Sequence, residues 1–254
     1  MRSLPPGRGR RCLGGGPRGA AGWAESVSVT DSRAIAAYWD HAAEDFDREA
    51  DHGLHAPATR AAWARRLAGW MPPAPADVLD AGCGTGSLTQ LLAEAGHRVT
   101  GVDLAPRMTG QARRKLAAAG LSARLLTGDA ADPPTGQDRF DALLCRHLLW
   151  TLPDPHAALR TWAGLLRPGG RLILVEGRWH PAGQDPPPYT TGAAALPWAG
   201  GVTATRLAAA VRPLTAGLRI EDLTGEPSLW GGPVNDQRYA LIARTPHTRN
   251  TRNT

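Results

Sequence analysis

Three evenly spaced glycines stand between an apolar run and a helical pattern. The segment from Val78 to Ala93 reads VLDAGCGTGSLTQLLA, with glycines at positions 82, 84 and 86. A bare backbone at the start of a helix lets a ligand lie directly against the chain. The loop lacks the lysine of a P-loop, and its third glycine comes one residue too early for the G-x-G-x-x-G dinucleotide pattern. The spacing therefore disfavours both a nucleoside triphosphate and a dinucleotide.

Two acidic residues accompany this loop and indicate what the ligand is. Asp80 precedes the first glycine by two residues, and Asp103 ends the next predicted strand in VTGVD. A carboxylate beside a helix start repels a pyrophosphate and attracts a cation, whereas a carboxylate at the next strand end can accept both hydroxyls of a ribose. A ligand with a ribose and a positive charge, such as S-adenosylmethionine, fits both. The alternative is a glycine turn that merely packs a helix against a strand.

Strands and helices alternate along most of the chain, which indicates a mostly parallel, doubly wound sheet. Helical spacing of apolar residues begins near Thr30, and a second helix carries Trp63, Leu67 and Trp70 on one face. The predicted strands lie near 77–82, 98–103, 123–127, 139–145, 171–176, 217–223 and 237–243. Further helices are predicted near 87–96, 107–119, 155–166 and 203–212.

Five segments in order resemble the motifs of the class I S-adenosylmethionine-dependent methyltransferases, in the small-molecule branch that includes the ubiquinone and menaquinone methyltransferases. The segments read VLDAGCGTG, VTGVDLAPRM, LLTGDAADPP, FDALLCRHLLWTLPDPHAAL and LLRPGGRLILVEG, and the resemblance spans roughly residues 30–244. It implies an α/β, Rossmann-like, doubly wound seven-stranded sheet, mostly parallel with an antiparallel last strand, plus an N-terminal helical lid.

The same resemblance implies S-adenosylmethionine as cofactor and methyl transfer to an O, N, S or C nucleophile of a small molecule. We expect a role in bacterial secondary metabolism. The alternative is an S-adenosylmethionine-binding protein of the same fold that acts as a cyclase or a non-catalytic scaffold.

The resemblance also implies which residues contact the cofactor. Asp103 would hold the ribose, Asp129 with the amide of Ala130 would meet the adenine edge, and the glycine loop would pass under the methionine part. Ala105 departs from the family, which often has a hydroxyl residue there. The candidate cofactor residues are Asp80, Gly82, Cys83, Gly84, Gly86, Asp103, Leu104, Met108, Asp129, Ala130, Arg146 and Tyr38.

Methyl transfer is an in-line displacement, so alignment supplies much of the rate, although the acceptor can also need to lose a proton. His147 follows the fourth predicted strand, where ligands bind in open sheets, and is the candidate general base. The alternative is that it only shapes the start of the next helix. We expect Tyr38 to belong to the lid and Trp39 to the core.

Further side chains are candidate contacts of the acceptor molecule. For each, the alternative is a structural role: a surface position, an ion pair, or part of a loop that only covers the site. The candidates are His52, His55, Glu176, Arg178, Trp179, Tyr189 and Trp198. No pair of metal-ligating acids is evident, so a metal-independent enzyme is predicted.

The expected organisation is one methyltransferase domain over residues 27–245 between two disordered tails, a basic one at 1–26 and a short one at 246–254. Within the domain, the predicted parts are a helical lid at 27–75, a cofactor-binding half at 76–178, a substrate loop at 179–201 and a C-terminal helix with strands at 202–245.

The charge distribution and the cysteine content indicate which binding partners and which cellular location to expect. The net charge is +6, yet residues 1–25 hold five arginines and one acid and residues 244–254 hold three arginines, which leaves a nearly neutral body. We therefore expect a small-molecule acceptor and no nucleic acid. No apolar run is long enough to span a membrane, so no membrane partner is expected. Three cysteines favour a cytoplasmic protein. The sequence does not give the oligomeric state, and a homodimer is one alternative.

Overall fold

The computed structural model describes residues 32–179, 188–190, 193 and 196–247. The strands in this part of the chain are β1 Asp77–Ala81, β2 Arg98–Asp103, β3 Arg124–Thr127, β4 Phe140–Arg146, β5 Leu166–Arg178, β6 Gly217–Asp222 and β7 Gln237–Arg244. They form one sheet in the order β3-β2-β1-β4-β5-β7-β6. Strand β7 is antiparallel to both of its neighbours, and the other described pairs are parallel. The predicted fold class is confirmed.

The helices in the described part of the chain are α1 Ser32–Ala42, α2 Ala50–Gly53, α3 Pro57–Trp70, α4 Ser87–Glu94, α5 Pro106–Ala118, α6 Pro155–Leu165, α7 Ala204–Val211 and α8 Pro227–Trp230. Six of the eight described helices correspond to predicted ones, whereas the short helices α2 and α8 were not predicted. The first helix ends before Phe46, which lies in a separate 3-10 turn, Phe46–Arg48. In the part of the chain that the structure describes, no helix has the length and apolarity needed to cross a bilayer.

The central strands are covered on both faces, which explains their continuous apolar runs. On one face, Leu79 and Leu143 pack with Trp162 of α6 and Leu207 of α7. On the other face, the alternate strand positions pack with α3 and α4, and Val78, Leu144, Ile173, Trp63 and Leu92 belong to this second core. The sheet is thus a rigid platform for whatever its strand ends carry.

The strand order reverses between β1 and β4, which lie side by side although β2 and β3 come between them in the sequence. In open α/β sheets, ligands bind outside the carboxyl ends of the strands at such a switch point. The N-terminal helices cover this edge. The backbone N–H of Arg107 donates to Asp40 at 2.6 Å, and the Gln111 amide donates to the carbonyl of Ala43 at 2.6 Å, so α1 is held against α5.

The predicted tails lie outside the described residues, except for the last residues before position 248. There the backbone N–H of Gly169 donates to the carbonyl of Pro246 at 3.1 Å, and Thr245 donates its hydroxyl to the carbonyl of Arg167 at 2.8 Å. The folded part of the chain therefore continues through Pro246, just past the predicted boundary at 245.

Candidate functional site

A cavity of about 200 Å³ lies at the carboxyl ends of β1, β2 and β4, beneath the N-terminal helices. Its wall combines the glycine loop, acidic and basic groups, and aromatic rings. The lining residues are Trp39, Phe46, His52, Asp80, Gly82, Cys83, Gly84, Thr85, Ser87, Leu88, Asp103, Met108, Arg146, His147, Trp150 and Trp179. Seven lining residues were predicted as cofactor contacts, namely Asp80, Gly82, Cys83, Gly84, Asp103, Met108 and Arg146, and three more, His52, His147 and Trp179, were predicted as acceptor contacts or as the general base.

The glycine loop can exist only with glycines because its backbone is left-handed and crowded. Gly82, Gly84 and Gly86 have φ angles of +75°, +54° and +81°. A Cβ on Gly86 would lie 2.7 Å from the Cβ of Ala112, and one on Gly82 would lie 2.9 Å from the side chain of Leu148. The loop consequently presents bare backbone to the cavity, as a closely bound ligand requires.

Asp103 connects the end of β2 to the glycine loop. One carboxylate oxygen accepts from the backbone N–H of Gly84 and the other from that of Ala105, both at 2.9 Å. Burial raises the pKa of this carboxyl, and the backbone hydrogen bonds oppose the rise. Each oxygen keeps a further lone pair for a ribose hydroxyl.

Asp80 is a buried carboxyl at the end of β1, beside the loop. Thr89 donates its hydroxyl to it at 2.6 Å. Burial raises the pKa of Asp80 to about 6, while the Thr89 hydrogen bond and the charge of Arg146 lower it. At neutral pH, the ionised form suits the ammonium group of an amino-acid moiety.

Lys115, the single lysine of the chain, ties the lid to the loop. Its ammonium lies 2.9 Å from Asp47 and donates to Ser87 at 2.6 Å, while Thr85 donates its hydroxyl to Asp47 at 2.5 Å. The sequence analysis missed this network. A lysine standing alone among arginines carries no recognisable spacing, and its partners come from three separate elements.

His147 directly follows the carboxyl end of β4 and has a left-handed backbone conformation, with φ +55°. Its backbone N–H donates to the carbonyl of Val175 at 3.0 Å. The Nε2 atom is buried and has no hydrogen-bond partner among the described residues. Burial and the nearby Arg146, Arg238 and His52 keep the pKa of His147 well below its usual range. The imidazole is therefore neutral at pH 7 and can accept a proton.

His52 lies across the cavity edge from His147, on α2. Its ring stacks on Phe46 with centroids 4.2 Å apart, and its Nδ1 atom is buried without a partner in the described part of the chain. Burial, followed by the charge of Arg146, lowers its pKa. His55, by contrast, is exposed and does not line the cavity. His55 is therefore a surface residue, which was the alternative to its predicted contact with the acceptor.

An aromatic wall closes the side of the cavity away from the glycine loop. The ring centroids of Trp39 and Trp150 are 6.2 Å apart, those of Trp150 and Trp179 are 5.7 Å apart, and Tyr189 packs behind Trp150 at 5.2 Å. Tyr38 is exposed and packs on Trp39 from outside. The expectation of a core Trp39 is corrected, because α1 turns Trp39 into the cavity wall. Tyr38 lies on the lid helix as expected, but it is outside the cavity wall where a cofactor contact was predicted.

Glu176 is corrected from an acceptor contact to a structural residue, since it is fully buried and lies outside the cavity wall. One of its oxygens accepts from the backbone N–H groups of Leu148 and Leu149, at 3.1 and 3.0 Å. Burial raises the pKa of Glu176 to about 8. This carboxyl thus holds the turn that follows His147.

Two other predicted acceptor contacts also lie elsewhere. Trp198 is buried in the core beside α6 and α7, where its ring packs on His156 at 5.3 Å. Arg178 donates to the carbonyls of Ala199 and Gly201 at 3.0 and 3.1 Å and secures the chain there. Both were predicted from their positions near the substrate loop, of which residues 180–187, 191–192 and 194–195 lie outside the described residues.

Three predicted adenine contacts lie beside the cavity rather than on its wall. Asp129 is exposed and accepts from the backbone N–H of Ala131 at 2.8 Å. The carbonyl of Ala130 accepts from the Trp162 indole at 2.8 Å. Leu104 packs against the cluster around Ile35. Their contacts with a cofactor stay predictions.

Comparison with known proteins gives a consistent result. Residues 79–174 match a family model described as "Methyltransferase domain". The chain is 40% identical over 105 residues to a ubiquinone biosynthesis O-methyltransferase of Xanthomonas axonopodis pv. citri (strain 306). That alignment covers 41% of this chain and 44% of the relative, so the match spans less than half the length of the curated protein.

Solved structures resemble the whole fold. The cyclase SpnF has a TM-score of 0.67 at 20% identity, over 87% of this chain and 98% of that one. A Burkholderia thailandensis 1,6-didemethyltoxoflavin-N1-methyltransferase has a TM-score of 0.60 at 24% identity, over 86% of this chain and 92% of that one. At these identities, the likeness concerns the fold.

Proposed function

We propose that the chain is a class I S-adenosylmethionine-dependent methyltransferase that transfers a methyl group from S-adenosylmethionine to a hydroxyl group of a small planar molecule. One observation carries the proposal: the cavity that begins at the glycine loop and Asp103 continues into a wall of aromatic rings. A single cavity therefore offers surfaces for both a nucleoside and a flat acceptor.

The residues present fit this cofactor. The bare backbone of Gly82–Gly86 leaves room for the methionine part, Asp103 has lone pairs for the ribose, and Asp80 suits the ammonium group. When bound, S-adenosylmethionine supplies an electrophilic methyl group on a sulfonium.

The choice of oxygen as the nucleophile rests on charge and on the curated relative. Arg146 and Arg238 both act on His147, whose imidazole is neutral, so the acceptor end of the cavity favours a hydroxyl whose oxygen gains negative charge over an ammonium. The 40% identical relative is by its name an O-methyltransferase. With S-adenosylmethionine bound, methyl transfer would turn its sulfonium into a thioether, and His147 Nε2 would accept the proton that the acceptor hydroxyl gives up.

A role in bacterial secondary metabolism and a cytoplasmic location belong to the same proposal, supported by the small planar cavity and by two described cysteines that are free and buried. We propose no nucleic-acid acceptor because the body of the chain is nearly neutral. Whether the protein forms a homodimer is measured by light scattering on the full chain.

The experiment is methyl transfer from labelled S-adenosylmethionine to a panel of phenols, with amines and thiols as the competing nucleophiles, followed by mass analysis of the products. We expect a gain of one methyl group on a phenolic oxygen. Cofactor binding without methylation of any acceptor would instead favour the cyclase or scaffold alternative. Products methylated on nitrogen or sulfur would overturn the choice of oxygen.

The His147→Ala variant tests the base. We expect turnover to fall by ~10²–10⁴-fold, as for loss of a general base, while affinity for S-adenosylhomocysteine changes little. The exposed His55→Ala variant is the matched control and should keep wild-type turnover. A His147 variant within a few-fold of wild type would leave alignment alone to carry the rate.

A further inference from the structure

Asp51, His52 and His147 bring three potential metal ligands together at the edge of the cavity. One candidate ligand atom from each residue lies within 4.8 Å of the other two. The first two residues are neighbours on α2, while His147 stands at the end of β4, so only the packing of the lid on the sheet unites them. The sequence analysis predicted no metal because it sought a pair of acids.

Two imidazole nitrogens in this cluster are buried without a partner. Neither Nδ1 of His52 nor Nε2 of His147 has a hydrogen bond within the described part of the chain. Buried polar atoms are nearly always satisfied, and each exception calls for an explanation such as an ion. Two such atoms therefore occur in one cluster, and the carboxylate of Asp51 lies 3.9 Å from the other ring nitrogen of His52, Nε2.

The charges around the cluster allow a further positive ion. The charged groups that act on its two histidines are the guanidiniums of Arg146 and Arg238 and the carboxylates of Asp51 and Glu49. Arg238 is already paired with Asp236 through two hydrogen bonds of 2.6 and 3.0 Å. With Arg238 paired in this way, the charge of Arg146 is offset by the carboxylates of Asp51 and Glu49, which act on His52.

We propose that Asp51, His52 and His147 form a binding site for one divalent transition-metal ion such as Zn²⁺. Two imidazoles and one carboxylate are the ligands of sites that hold such ions and keep a coordination position open. Mg²⁺ and Ca²⁺ prefer all-oxygen ligands and fit this set poorly. Ligand distances of about 2.0–2.2 Å require the three side chains to draw closer together.

The position of the site gives it two consequences. A bound ion would join α2 of the lid to the end of β4, at the edge of the cavity that both histidines line. It also takes the lone pair of His147 Nε2. The ligand and base roles of His147 therefore exclude each other in any one molecule. The site itself does not depend on the proposed function.

The test is metal binding by the full chain, free of any polyhistidine tag and freed of metal by a chelator. Zn²⁺ is titrated by calorimetry, and Co²⁺ serves as a spectroscopic probe of the ligands. We expect one ion per chain and a Co²⁺ absorption spectrum of nitrogen and oxygen ligation. The His52→Gln and His147→Gln variants should each weaken Zn²⁺ binding by at least ~10-fold, the loss that even outer partners of a metal cause.

The exposed His55→Gln variant, three residues from His52, is the matched control and should bind Zn²⁺ as wild type does. Circular dichroism and thermal unfolding establish that each variant is folded. The proposal is overturned if wild type binds no stoichiometric Zn²⁺, if binding survives both ligand substitutions in folded variants, or if His55→Gln alone abolishes it. Failure of this test leaves the methyl-transfer assay unaffected, so the two proposals are judged separately.

Discussion

At the scale of the residue, the site depends on three carboxyl groups that have different roles because different hydrogen-bond donors surround them. Asp103 accepts two backbone hydrogen bonds and faces the cavity, while Asp80 is buried behind the loop with Thr89. Glu176 is buried too, but its carboxyl accepts hydrogen bonds only from the backbone of the turn after His147. Residue type alone does not separate these roles, because each depends on which donors the fold places nearby.

Asp103→Ala is expected to weaken binding of S-adenosylhomocysteine by roughly 1.5–3 kcal/mol for each hydrogen bond lost to the charged group. The reason is that its oxygens are the hydroxyl acceptors at the end of β2. Calorimetry on the folded variant measures the effect. Asp132→Ala, which removes an exposed carboxyl, is the control and should bind as wild type does. Equal affinity in both variants would remove Asp103 from the ribose site.

Glu176 makes stability depend on pH. Its pKa is raised by burial to about 8 from 4.5, so the folded state holds a proton that the unfolded state has released between these values. Stability is therefore greatest below about pH 4.5 as far as this group is concerned, and it falls as pH rises toward 8. At 1.36 kcal/mol per pKa unit, the loss is on the order of 5 kcal/mol.

Glu176→Gln is expected to remove that loss, since the amide keeps the acceptor oxygen for Leu148 and Leu149 and does not ionise. Urea unfolding at pH 5 and pH 8 should show a smaller difference in free energy for the variant than for wild type. Glu44→Gln, at an exposed position, should keep the wild-type difference. An unchanged pH dependence in Glu176→Gln would show that this carboxyl is already ionised in the fold.

At the scale of the element, the turn between β1 and α4 shows how local backbone and tertiary packing act together. The left-handed φ angles follow from the glycines themselves, whereas the tight contact of Gly86 with Ala112 exists only because α5 packs against α4. Similarly, the left-handed His147 is maintained by β5, which supplies both the Val175 carbonyl and the Glu176 carboxyl.

Gly86→Ala separates these two contributions. Its matched control is Gly120→Ala, a glycine with φ +67° and open space around the added Cβ, whereas the Cβ at Gly86 meets Ala112 at 2.7 Å. Both variants lose about 1–2 kcal/mol from the left-handed backbone. Only Gly86→Ala should lose a further ~1–3 kcal/mol from overpacking. Urea unfolding measures both, and equal losses would contradict the crowding.

At the scale of the whole molecule, the lid, the sheet and the C-terminal strands form one packed unit in the described residues. Trp63 of α3 donates its indole N–H to the carbonyl of Leu229 at 2.8 Å, and Trp230 of α8 packs on it at 5.5 Å. The C-terminal segment of the described residues also packs on the sheet, since the carbonyl of Pro246 accepts a hydrogen bond from the backbone N–H of Gly169. The contacts of Trp63 and Trp230 lie directly behind the cavity wall, since the Trp230 ring stacks on His147 with centroids 5.9 Å apart.

A chain of residues 27–247 is expected to keep the fold and the cofactor affinity of the full chain, because the packed contacts of the described residues lie within it. Ending the chain at 244 should lower the unfolding temperature, since Thr245 and Pro246 then no longer bond to the chain near Gly169. Thermal unfolding and calorimetry compare the three proteins. Loss of cofactor binding in residues 27–247 would show that a tail takes part.

The sequence by itself determined the fold class, the order of the strands and helices, and the glycine loop with its two acids, because these follow from short-range patterns: apolar periodicity, strand ends and positive φ angles. It did not reveal which side chains turn inward. Trp39, Lys115 and the cluster of Asp51, His52 and His147 meet their partners across more than 50 residues of chain or from different elements. Only the tertiary structure decides such contacts, because they depend on how the lid packs on the sheet and on which groups that packing buries together.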